Sequence, residues 1–105
     1  MVFVELPLFT KHVPFTDDEL ATIQQTILDD PLCGDLIRGT HGLRKMRAAL
    51  GGRGKRGGAR VIYYVWTARD CCYLVFAYVK NEQSDLTAAQ LKTLGALMRE
   101  VLRDG

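Results

Sequence analysis

Eight cationic side chains fall within residues 38–60, Arg38, Arg44, Lys45, Arg47, Arg53, Lys55, Arg56 and Arg60, with no acid among them. The whole chain has 14 basic and 12 acidic residues, so setting these eight aside leaves six basic residues against twelve acids. The net charge of +2 therefore conceals a strongly polarised sequence. A focused positive field attracts a polyanion such as RNA or DNA, or an acidic protein segment, far better than a neutral metabolite. Spacing adds geometry to the charge. Over residues 42–50, Lys45 and Arg47 share one strand face while Met46, Ala48 and Leu50 share the other. Residues 51–58 hold five glycines with Arg53, Lys55 and Arg56, the composition of a basic loop inside a hairpin. In the strand that follows, from residue 60 to 67, Arg60, Ile62 and Tyr64 share a face, and Val61, Tyr63 and Val65 take the other.

Several other chemistries are excluded. A phosphate-binding P-loop needs glycine where Ala49 stands and Ser or Thr where Arg56 stands, and it must open a helix, whereas this loop leads into a strand. Cys33, Cys71 and Cys72 show no CxxC spacing, and neighbouring strand residues point to opposite faces, so the thiols read as reduced apolar side chains of a cytoplasmic protein. His12 and His41 have no carboxylate or thiol at metal-ligand spacing; no metal or other cofactor is expected. No apolar run approaches the roughly 20 residues of a bilayer span, and Met1 to Phe9 lacks the basic start of a secretion signal.

The elements that must hold the cations in place follow from pattern. With 105 residues, 48% of them apolar and 25% charged, the chain suits one domain over 1–105 with one modest core. Val2 to Leu6 reads as a strand ended by Pro7. Thr16 and Glu19 have the spacing of a capping box, with Phe15 and Leu20 as its hydrophobic staple, so a helix is expected from Asp17 to about Asp29, stopped by Pro31 and Gly34. Cys71 to Val79, almost wholly apolar, reads as a strand covered on both faces. Thr87 and Gln90, with Leu86 and Leu91, repeat the helix-start signature before an inward stripe of Leu94, Met98 and Val101. Strand, helical region, three meandering strands and a final helix make an α+β domain.

The segments GLRKMR from Gly42, KRGGARVIYY from Lys55 and YVKNEQSDLT from Tyr78, together with the terminal helix, resemble the HigB branch of the RelE/ParE superfamily, the toxins of bacterial type II toxin–antitoxin modules. The similarity covers nearly the whole chain in order. It implies a RelE-like fold, with an N-terminal strand and helices, a curved, mainly antiparallel four-stranded sheet exposing a cationic concave face, and a C-terminal helix. It implies ribosome-dependent cleavage of mRNA in the decoding site as the activity. Its partners would be the ribosome with A-site mRNA and a cognate helix-turn-helix antitoxin, through which alone the pair would meet operator DNA.

Metal-free RNA cleavage needs the 2′-oxygen to attack the adjacent phosphate, with a proton acceptor, charge stabilisation and a proton donor for the 5′-oxygen. Lys45, Arg47, Arg60 and Lys80 are the candidates for positive charge around one phosphate. Arg60 is the first choice for the scissile phosphate, because a guanidinium holds two oxygens while staying charged. Lys45, crowded by Arg47 and Arg60, is the candidate proton acceptor. Tyr64 either stacks on a base, protonates the leaving oxygen or packs inward. Lys80 is a phosphate contact or a solvated strand end. Arg44, Arg53, Lys55 and Arg56 are expected to bind RNA outside the scissile bond. Many relatives carry an arginine after the last strand and a tyrosine early in the final helix, where this chain has Asn81 and Thr87. The competing readings of the same residues are a noncatalytic nucleic-acid-binding module and a groove for an acidic protein segment.

Overall fold

A computed structural model of the chain describes residues 1–51 and 58–104. Its elements run β1 (Val2–Glu5), α1 (Pro7–His12), α2 (Asp17–Asp29), β2 (Asp35–Leu36), β3 (Arg44–Ala48), β4 (Ala59–Trp66), β5 (Cys71–Val79) and α3 (Ala88–Asp104). The five strands form one sheet in the order β1-β5-β4-β3-β2, antiparallel except where β1 lies parallel to β5. The fold is a mixed, mainly antiparallel α+β domain. The four-stranded expectation is corrected by β2, whose two residues are too few to show an alternation.

The helix starts follow their sequence signatures. Thr16 Oγ1 accepts from the Glu19 amide at 3.1 Å while Glu19 Oε1 accepts from the Thr16 amide at 2.8 Å, completing the capping box of α2. Thr87 and Gln90 exchange the same pair of bonds ahead of α3. Pro7 both ends β1 and opens α1, since its missing N–H and fixed φ suit the first helical position. β1 pairs with residues 71–74, and α1 then packs on β5, so two short elements share the flank of one long strand.

Two apolar clusters lie on opposite sides of the sheet. On one side Ile23 and Ile27 of α2 pack with Met46, Ala48, Val61, Tyr63, Cys72, Leu74 and Ala77. On the other, Leu94 and Met98 of α3 pack with Ile62, Val75, Phe76 and Tyr78. Val75 and Phe76 are sequence neighbours that enter the same cluster, because the β4–β5 register slips between Ile62 and Tyr63 and leaves Val75 without a partner. This is a β-bulge, which turns two adjacent side chains to one face and sharpens the local twist. Among the described residues no helix is long and apolar enough to cross a membrane.

Candidate anion-binding site

The pairing register places the charged side chains in rows across the sheet. Asp35, Lys45, Ile62 and Phe76 form one row, and Arg47, Arg60 and Tyr78 form the next. Directly paired residues project to the same face, so Arg47 and Arg60 stand side by side. Like charges directly opposite destabilise a sheet, and this arrangement makes sense where an anion is to be held. Lys80 follows Tyr78 by two positions and is anchored by its amide, which donates to the Gly58 carbonyl at 3.0 Å. Lys45, Arg47, Arg60 and Lys80 together line one concavity of about 200 Å³, with Asp35 at its border. Four of the five side chains expected at the reaction centre are thus brought together.

Arg60 is 9% exposed, and its Nη1 donates to the Ala59 carbonyl at 3.3 Å. Restraint of this kind keeps a guanidinium oriented before an anion arrives, lowering the ordering cost of binding. Lys45 Nζ donates to Asp85 Oδ1 at 3.1 Å, with the two side chains 28% and 66% exposed. Such an exposed pair contributes between about 0 and 1 kcal/mol, so an incoming phosphate can displace the carboxylate at small cost. Asp85 itself is held below the usual carboxylate range, first by the Leu86 amide, which donates to it at 2.8 Å, and then by Lys45. Lys80 Nζ donates to the Ser84 carbonyl at 2.6 Å, so the turn before α3 positions two of the four cations.

Two expected site residues lie elsewhere. Tyr64 shares the face of Arg60 but stands four residues along β4, about 13 Å away at the rise of a strand. It packs at the margin of the α3 cluster, its ring centroid 6.4 Å from that of Trp66. Arg44 belongs to the opposite parity from Lys45 and Arg47, and its Nη1 donates to the Gly34 carbonyl at 2.9 Å, fastening the α2–β2 connection. It lies on the α2 side of the sheet, away from the concavity. Arg53, Lys55 and Arg56 lie outside the described residues.

Sequence reasoning passed over Tyr78 and Asp35, and Asp85, a turn residue before α3, joins Lys45 at the site. Tyr78 sits beside Arg60 in the register and is 4% exposed. Burial pushes its pKa up and the Asp85 carboxylate adds to this, with the Arg60 cation opposing them, so it remains a phenol at neutral pH. Within an apolar run its side chain reads as core; only the parity shared with Lys80 points toward the site. Among the described residues no three His, Cys, Asp or Glu side chains gather as metal ligands. No protein-family model matches the chain.

Proposed function

We propose that this chain is the toxin of a type II toxin–antitoxin pair, a ribosome-dependent mRNA endonuclease of the RelE-like, HigB kind. The observation that carries the reading is the convergence of Lys45, Arg47, Arg60 and Lys80 on one concavity, from β3, β4 and the end of β5. In this reading Arg60 grips the scissile phosphate through two oxygens, and Arg47 with Lys80 offsets the charge that builds on the phosphorane. Lys45 exchanges its carboxylate partner for phosphate as RNA enters. An adjacent helix-turn-helix antitoxin would silence the toxin by covering this face.

Conditional expression of the native chain and of Arg60→Ala, with mRNA 5′ ends mapped on translated and untranslated reporters, tests the proposal. Cuts confined to translated reading frames and absent from the variant are the expected result. A stable native protein that makes no cuts would overturn the endonuclease reading. A noncatalytic RNA-binding module is the second reading, favoured by one observation: the tyrosine beside the concavity, Tyr78, is almost fully buried.

A further inference from the structure

Beside the cationic concavity lies a second hollow, of about 260 Å³, between β2 and the start of α3. Leu36, Ile37, Leu86 and Leu91 line it, and the carboxylates of Asp35 and Asp85 stand with them. Lys45 and Asp35 border both hollows, so the two share a wall. We propose that this second hollow is a nucleobase subsite selecting bases that carry an exocyclic amino group. The inference rests on the reading that the neighbouring cations hold an RNA phosphate.

The chemistry of the lining supports a base rather than a second phosphate. Two carboxylates would repel an anion, while leucine and isoleucine side chains suit the apolar faces of a planar heterocycle. Ile37 packs at the edge of the α3 cluster, so its side chain lies on the hollow's side of the sheet. Ionised carboxylates only accept hydrogen bonds, so they match the amino donors of cytosine, adenine and guanine. Uracil has no amino group and presents carbonyl oxygens, acceptors set against acceptors, with N3–H its only donor on that edge. Asp85 is engaged by the Leu86 amide, so Asp35, exposed on the edge strand, is the reader and Asp85 its support. A nucleotide spanning the wall would place its phosphate on the Arg47–Arg60 side and its base on the Ile37–Leu91 side.

Calorimetric titration of the full chain with the four nucleoside 3′-monophosphates and with inorganic phosphate tests this. The amino-bearing nucleotides are expected to bind about fivefold or more tighter than uridine 3′-monophosphate, the discrimination of one modest base contact. Asp35→Asn should reduce that preference to about twofold or less while phosphate still binds, and Leu91→Ala should weaken all four nucleotides and leave phosphate unchanged. Phosphate binding without preference among the bases, or a preference that survives Asp35→Asn, would overturn the subsite and leave the anion site standing. Failure of phosphate and every nucleotide to bind would overturn both.

Discussion

The two faces of the sheet are built from the same strands and hold their polar groups in different surroundings. Under α2, Tyr63 and Arg44 are tied to backbone. Tyr63 accepts from the Gly34 amide at 2.9 Å and donates to the Pro31 carbonyl at 2.9 Å, and Arg44 binds the Gly34 carbonyl. Gly34 is required there by close approach: a Cβ would meet the Lys45 carbonyl oxygen and the Tyr63 ring, each at 2.9 Å. On the α3 side the helix covers Ile62 and Phe76 but leaves Arg47, Lys45 and Lys80 lining an open hollow. The polar groups of one face close over the fold, and those of the other border a hollow even where they too are tied, Arg60 to the Ala59 carbonyl and Lys80 to the Ser84 carbonyl. Residue type alone does not identify a site, since Arg44 and Arg47, three positions apart, lie on opposite faces.

The largest expected effect breaks the open face. Arg60→Ala should lower mRNA cleavage by at least about 100-fold, in line with the loss of one preorganised charge contact to the transition state. The thermal transition should move by no more than about 1 kcal/mol, because losing the buried stem is offset by relief of the Arg47 charge. Reporter cleavage and calorimetry on the same preparation check both halves. A protein that loses activity only by unfolding would erase the contrast between the faces.

The next effect is on the closed face and has the opposite signature. Tyr63→Phe leaves the buried Gly34 amide without its acceptor and should destabilise the fold by about 1–3 kcal/mol. Cleavage per folded molecule should be unchanged. Denaturant unfolding paired with activity normalised to the folded fraction gives the measurement, and a specific loss of turnover would move the active surface across the sheet.

A smaller effect lies at the start of α2. Thr16→Ala should cost about 1 kcal/mol through loss of the cap. Its partner Glu19 also accepts from the Gly51 amide at 2.7 Å, so the capping box anchors the segment that leaves β3. The Thr16 amide, foremost, and the Gly51 amide hold the Glu19 carboxyl below 4.5, its ordinary value. A lowered folded pKa stabilises the native state above the unfolded value, and that contribution is lost as pH falls from about 4.5 through the folded value. Stability of Glu19→Gln should therefore fall less steeply with acid than that of the native chain over this window. Parallel slopes in acid denaturation would remove the carboxylate from the account.

Much of the fold was legible because its signals are local. Both capping boxes lie within four residues, and the apolar run Cys71–Val79 coincides with β5 end to end. What escaped is what depends on distant partners or on very short segments. Two residues of β2 give no period, and the bulge at Val75 carries no glycine to announce it. The shared face of Lys45 and Arg47 was visible by alternation, and so was that of Arg60. Their meeting with Lys80 required the register of β3, β4 and β5. Asp85, forty residues from Lys45, has no local mark beyond its place before a helix, and Tyr78 is disguised by the apolar residues around it.

The smallest expected effect sharpens the limits of the open face. Tyr64 lies on the same side of β4 as Arg60, and alternation by itself would admit it to the site. Alternation fixes a side, however, and the position along the strand fixes the distance. Four residues carry Tyr64 beyond the bulge and against Gly42, where a Cβ would come within 3.1 Å of its ring. Gly42 has φ +103°, a backbone that favours glycine, so the ring packs on a turn built to receive it. Tyr64→Phe keeps that packing and removes only the hydroxyl. Cleavage should stay within about twofold and stability within about 0.5 kcal/mol, whereas a loss of tenfold or more would mean that the reacting surface runs the length of β4.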